Sequence, residues 1–241
     1  MPPKPARVLV LTDTAPTLSV IVPTLDAAPL LDRTLAIAGA AASAFEMELI
    51  VADGGSTDGT LDIASNHGAR VVRARPGRGG QLAAGAAAAQ GDWLLFLHAD
   101  TRLPAGWQAA AAEFIADPQN AERAAYFRFA LDDRSAGARR LEWLVALRVR
   151  LLALPYGDQG LLLSRAFYDA LGGFRAIPLM EDVDLMRRIG RRRLIAFDGA
   201  ALTSAARYRS GGYIGRPLRN LCCLALYFLG LPPRLIARLY A

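Results

Sequence analysis

A chain of 241 residues, 53% hydrophobic and 21% charged, holds enough apolar material for one substantial core and is too apolar for a disordered polymer. Its 28 Lys and Arg against 22 Asp and Glu leave a formal charge of +6, which suits anionic partners such as nucleotides, phospholipid surfaces or nucleic acid without choosing among them. The only two cysteines, Cys222 and Cys223, are neighbours in an apolar stretch, which argues against a disulfide framework or a thiolate metal site and for the cytoplasm.

Residues 1–17 carry four prolines and a short apolar run, Val8 to Leu11, too brief for the core of a signal peptide, and read as a flexible tail. Four apolar runs follow, Leu18 to Val22, Met47 to Ala52, Arg70 to Arg73 and Trp93 to Leu97. Between them lie the alanine-rich stretches Ala27 to Ala42, Asp58 to His67 and Gln81 to Gln90, which have the length of crossover helices. Short runs apolar on both faces, alternating with helices, predict a mostly parallel sheet covered by helices, an α/β fold.

Beyond Pro104 the pattern predicts a helix to Ala116, a strand over Ala124 to Leu131, a basic amphipathic helix over Ala138 to Leu154 and a strand over Leu161 to Leu163. One domain over 18–214 and a helical appendage over 215–241 are expected. No run reaches the roughly 18 apolar residues of a membrane span. Leu221 to Leu231, the nearest, ends at Pro232 and Pro233.

Ligands of open parallel sheets bind beyond the carboxyl ends of the strands, and there the sequence turns polar: Pro23-Thr24-Leu25-Asp26, Asp53-Gly54-Gly55-Ser56-Thr57-Asp58-Gly59, and His98-Ala99-Asp100-Thr101. Asp53 and Asp100, delivered to one sheet edge, place two carboxylates beside one pocket, where a divalent cation would meet a diphosphate; His98 could add a nitrogen ligand. A turn with Asp100 capping the next helix explains the same residues equally well. Arg73, Arg75 and Arg78, followed by Gly79-Gly80, suggest an anion cradle at a helix start, although neither a P-loop nor a dinucleotide fingerprint fits these glycines.

Glu181-Asp182-Val183-Asp184 opens a helix, which the macrodipole favours whatever the role of the acids. The preceding Gly172-Gly173-Phe174 to Met180 stretch reads as a flexible approach that could hold a carboxylate over an acceptor hydroxyl as general base. Tyr156-Gly157-Asp158-Gln159-Gly160 adds an acid and an amide, Asp158 and Gln159, read as an acceptor-side wall; a plain turn is the other reading.

Taken in order, Val20-Ile21-Val22-Pro23-Thr24, Ala52 to Gly59, Leu95-Phe96-Leu97-His98-Ala99-Asp100 and Met180 to Leu185 resemble the family-2 glycosyltransferases of the GT-A fold. The resemblance is strongest to the bacterial subgroup often found beside radical-SAM and selenium-related genes, and it runs from about Leu18 to Tyr240. It implies an inverting transferase that uses Mn²⁺ or Mg²⁺ and a UDP- or GDP-sugar donor. Pro23, Thr24, Asp26, Asp53, Gly55, Arg78 and Asp100 then fall on the nucleotide-sugar side, with Thr24 and Asp53 at the nucleoside and Asp100 as the last acid of the D-x-D metal motif. Asp182, the second residue of the Glu181-Asp182 pair, matches the general base. The sequence departs from the family at His98, which replaces the first D-x-D acid, and at Gly54, which replaces the second acid of the D-D-G-S run.

Two rivals stay open. A sugar nucleotidyltransferase would want a longer glycine-rich loop with a basic residue after the first strand, which Pro23 to Asp26 lack; a non-catalytic nucleotide-sugar binder is favoured by His98 and the basic charge. Nucleic acid is not an expected partner, because basic and aromatic residues interleave only over Tyr208 to Arg219. The stretch from Arg216 to Ala241 reads either as a helix pair covering the core or as a peripheral contact with the inner membrane face that meets a lipid-linked acceptor.

Overall fold

The computed structural model describes residues 17–40 and 45–240. The expected tail lies outside these residues except for Thr17, which starts the first strand. The first half alternates strand and helix: β1 (Thr17–Thr24), α1 (Ala28–Gly39), β2 (Glu46–Asp53), α2 (Thr60–Asn66), β3 (Arg70–Arg73), α3 (Arg78–Ala88) and β4 (Trp93–Phe96). After β5 (Thr101–Arg102) come α4 (Trp107–Ala116), β6 (Ala124–Leu131), α5 (Ala136–Leu152), β7 (Leu161–Ser164), α6 (Arg165–Ala170), α7 (Glu181–Ile189) and β8 (Leu194–Thr203). Three helices close the chain, α8 (Ala206–Gly211), α9 (Gly215–Phe228) and α10 (Pro233–Tyr240). The end of the expected Ala27 to Ala42 helix lies outside the described residues.

One eight-stranded sheet has the order β3-β2-β1-β4-β7-β6-β8-β5. The pairs β3/β2, β2/β1 and β1/β4 are parallel, β7 is antiparallel to both β4 and β6, and β8 runs parallel to β6. The alternation of side chains along β1 builds two cores. Leu18, Val20 and Val22 join Leu31, Leu35 and Trp107 on one face, whereas Ile21 joins Leu82, Phe96 and Val183 on the other. Burial on both faces explains why the central strands read as continuous apolar runs.

The expected parallel strands and crossover helices are present. β8 was not anticipated: Leu194–Thr203 is interrupted by Asp198-Gly199, and β6 and β8 shift register between Tyr126 and Arg128. Its pairing is decided by the neighbouring strand, a long-range contact that no local pattern reports.

The stretch before α7 is the second correction. Phe174 is buried, stands edge-on to Phe96 with ring centroids 4.9 Å apart, and donates its amide hydrogen to the Tyr168 hydroxyl at 2.9 Å. An aromatic anchor of this size contributes about 2–3 kcal/mol of burial. The stretch expected to be flexible is therefore anchored in the core at its Phe174 end.

Candidate active site

The tips of β1 and β2 are tied together before any ligand arrives. Thr24 and Asp53 are register partners, and the Thr24 hydroxyl donates to Asp53 Oδ1 at 3.0 Å. Asp53 also accepts from the Ser56 hydroxyl and from the Gly55 and Ser56 amides, the latter two at 2.8 and 3.0 Å. Burial pushes its pKa up, but these four donors outweigh burial and hold it below the usual carboxylate value. Gly55 takes a φ of +101°, so this Asx-type turn favours glycine there.

Asp26, with φ of +48°, accepts from the Thr57 amide at 2.8 Å, and its own amide donates to the Ser56 hydroxyl at 2.9 Å. From α3, Gln81 donates to the carbonyls of Thr24 and Ala52 at 2.6 and 2.9 Å. The strand-end motif is thus a preformed loop pair, with Pro23, Thr24, Asp26, Asp53 and Gly55 all in or beside it.

A cleft of about 600 Å³, part of it open to solvent, lies beyond the β4 tip. Its wall includes Arg78, His98, Asp100, Asp158 and Asp182, together with Arg207, Tyr208, Arg216, Asn220 and Tyr240. Asp53 is not among the lining residues, which corrects the expectation that Asp53 and Asp100 share one cleft: β1 stands between their strands, and the Asp53 carboxylate is turned into its own loop.

Asp100 is placed by β8, the unanticipated strand. The Ser204 amide donates to the Asp100 carbonyl at 3.0 Å, and the Thr101 and Thr203 hydroxyls meet at 3.1 Å. His98 sits differently from the expected metal ligand. Its Nε2 is buried with no hydrogen-bond partner among the described residues, against Gly157, where an added Cβ would overlap the ring. Burial first, then Arg78 and Arg207, push its pKa well below the usual histidine value, so the ring is neutral.

Among the described residues no three His, Cys, Asp or Glu side chains are arranged to hold a metal ion. One carboxylate facing the cleft still fits Mg²⁺ or Mn²⁺, which can draw its remaining oxygens from a diphosphate and water.

The two acids that open α7 separate in role. Asp182 lines the cleft and accepts from the Gly157 amide at 3.1 Å; Glu181 instead pairs with Arg78, Oε1 to Nη1 at 3.3 Å. Burial pushes both carboxyls up, Glu181 to about 7, with Arg78 pulling each back. The reach from α3 to α7 depends on Gly79, since a Cβ there would strike the Arg175 carbonyl. That close packing covers the start of α3, so the expected anion cradle reduces to Arg78 alone; Arg73 and Arg75 are exposed and outside the cleft.

Asp158 and Gln159 also part ways. Asp158 lines the cleft, has an Oδ1 with no partner among the described residues, and is pushed up to about 6, chiefly by burial. Gln159 is buried and donates to the Phe127 carbonyl at 2.9 Å. It fixes the turn behind the cleft and is not an acceptor wall. The Arg148 guanidinium over the Tyr156 ring, 3.6 Å from its centroid, supports the same turn.

Tyr208, Arg216 and Asn220 fall within or beside the Tyr208 to Arg219 stretch noted in the sequence, but neither they nor Arg207 and Tyr240 were expected to line the cleft. Their signal was the absence of any Asp or Glu after Asp198 across a stretch holding six arginines.

The model of the family described as "Glycosyl transferase family 2" matches residues 19–160. Curated PGL/p-HBAD biosynthesis glycosyltransferases of Mycobacterium tuberculosis and Mycobacterium bovis are 43% identical over 112 residues, a match that covers 43% of this chain and 43% of theirs. Among solved structures, glucosyl-3-phosphoglycerate synthase from M. tuberculosis, in complex with Mn²⁺, UDP and glucosyl-3-phosphoglycerate, superposes with a TM-score of 0.62 at 22% identity, over 90% of this chain and 81% of that one. The mannosyltransferase PcManGT from Pyrobaculum calidifontis, in complex with GDP-Man and Mn²⁺, gives 0.58 at 22% identity, over 83% and 61%. These likenesses establish the GT-A fold. With the family model covering more than half of the sequence, the chain belongs to glycosyl transferase family 2.

Proposed function

We propose that the chain transfers a sugar from a UDP- or GDP-sugar to a hydroxyl acceptor, with inversion at the anomeric carbon. The observation that carries this reading is that Asp100 and Asp182, from distant parts of the chain, line one cleft together with Arg78 and Arg207. The Thr24, Asp26 and Asp53 loops shape its nucleoside end from outside the cleft, Asp53 by holding the turn. His98 at the first D-x-D position supports membership of the bacterial subgroup often found beside radical-SAM and selenium-related genes, whereas Gly54 removes one possible nucleoside contact.

In the transfer step Asp182 takes the proton of the acceptor hydroxyl as the oxygen attacks the anomeric carbon and the bond to the diphosphate oxygen breaks. Burial, which disfavours the charged carboxylate, makes Asp182 a stronger base than an exposed aspartate. The Gly157 amide fixes which oxygen stays free to act. Arg78 and Arg207 balance charge on the departing nucleoside diphosphate. A cation held by Asp100 would neutralise the same charge, an effect worth several kcal/mol at such sites. Asp158, beside Asp182, anchors the acceptor side.

The test is a thermal-shift screen of UDP- and GDP-sugars with and without Mn²⁺, followed by donor-turnover assays that detect free UDP or GDP. Metal-dependent stabilisation by one donor series supports the reading. No stabilisation by any nucleotide sugar, or release of pyrophosphate instead of a nucleoside diphosphate, overturns it.

A further inference from the structure

The C-terminal helices carry a buried apolar face and an adjoining exposed one. On α9, Cys223 and Leu224 are buried and Arg216 and Asn220 line the cleft. About a third of a turn round from this face, on the side adjoining Leu224, Leu218 and Leu221 are 57% and 59% exposed, and Phe228 continues their stripe. On α10, Ile236 is buried while Leu235 and Leu239 face solvent beside the exposed Arg234 and Arg238. The two helices are joined by the Arg219 guanidinium, 4.5 Å from the centroid of the Tyr240 ring.

We propose that this outer face of α9 and α10 seats on an anionic lipid surface. Three features select that occupant. α9 and α10 hold no acid, and their exposed arginines, Arg219, Arg234 and Arg238, stand on the same two helices as the apolar stripe; a second copy of the chain would bring arginines against arginines. Among the described residues no helix is long and apolar enough to cross a membrane, and the exposed leucines of α9 and α10 beside exposed arginines suit helices lying in the interface plane. Each arginine near an anionic surface raises partitioning about fivefold, and buried leucines add to it.

Because the inner faces of the same helices line the cleft, seating them places the cleft within one helix diameter, roughly 10 Å, of the membrane surface. The acceptor hydroxyl then belongs to a membrane-embedded molecule. That consequence, unlike the seating, rests on the transfer reading.

The full chain is sedimented with phosphatidylcholine vesicles, with and without phosphatidylglycerol, at low and high salt. Donor binding is followed in parallel by thermal shift. The wild-type chain should bind the anionic vesicles in a salt-sensitive way. L218D/L221D should lose roughly tenfold or more of that binding with donor binding unchanged, and R234Q/R238Q should lose the preference for anionic lipid. The proposal falls if the wild-type chain stays in solution, if L218D/L221D binds as well as wild type, or if ultracentrifugation shows self-association that L218D/L221D abolishes, since a second copy would then cover the face. Failure of donor binding with vesicle binding intact overturns the transfer reading and leaves the seating standing.

Discussion

The amide of Gly157 donates to Asp182 Oδ2 at 3.1 Å, joining residues 25 positions apart in sequence. The turn and the start of α7 are thereby locked as one unit, and the unit is closed on its other side by the His98 ring. A side chain at 157 would break it. Gly157→Ala is expected to displace the His98 ring or the turn, at a cost of about 1–3 kcal/mol of stability. It should lower kcat more than it raises the KM for donor. Urea denaturation and steady-state kinetics on the same preparation check both parts.

Replacing Asp182 by Asn keeps the size and the hydrogen bond from Gly157 within reach while removing the base. Transfer should fall by about 10²–10⁴-fold, with donor affinity within a factor of about two of wild type. Turnover of donor to nucleoside diphosphate in the presence of an active acceptor is the measurement. Undiminished turnover would move the base assignment to another residue.

Asp53→Asn tests a loop organiser against a ligand contact. Four donors converge on this carboxylate, so the substitution should cost about 2–3 kcal/mol even without nucleotide. Asp53 has a lowered pKa in the folded state. It therefore contributes stability above its unfolded value, and that stability is lost as pH falls through the folded one. Acid unfolding of the variant should accordingly be less steep than that of wild type.

Arg78 and Glu181 are separable by a double-mutant cycle. Arg78→Met leaves Glu181 buried without its counter-charge, and its carboxyl should move further above about 7. The cost should be about 1–2 kcal/mol, below that of a fully buried pair because Arg78 is half-exposed. In R78M/E181Q that loss should shrink to within about 0.5 kcal/mol of wild type. Donor affinity should stay weakened, since Arg78 faces the cleft. Recovery of both in the double variant would assign Arg78 a structural role only.

Asp158 gives a pH signature of the opposite sign to Asp53. Its carboxyl is raised from 3.8 to about 6 by burial, so its contribution to stability is present below about pH 4 and lost as pH rises through 6. Asp158→Asn should stabilise the ligand-free chain at pH 7.5 by about 1–3 kcal/mol and flatten the decline between pH 4 and 7. Denaturation midpoints across that range decide it. An unchanged slope would mean that Asp158 titrates as an ordinary exposed aspartate.

The parallel half of the sheet, its crossover helices and the polar strand tips were legible in the sequence because each is a local property: apolar runs of strand length, alanine-rich spacers, and turn residues such as Gly55 and Asp58. The order of the four motifs pointed to the family for the same reason. Tertiary structure alone decided the division of labour among the acids. Asp53 is turned inward by four donors, Gln159 is spent on the Phe127 carbonyl, Glu181 is taken by Arg78, and Asp182 and Asp158 are left facing the cleft. It also brought in β8 to hold Asp100, and α9 and α10 to line the cleft with Arg216, Asn220 and Tyr240. These are choices between long-range partners, and a sequence states which groups a residue carries but not which distant donor will reach it first.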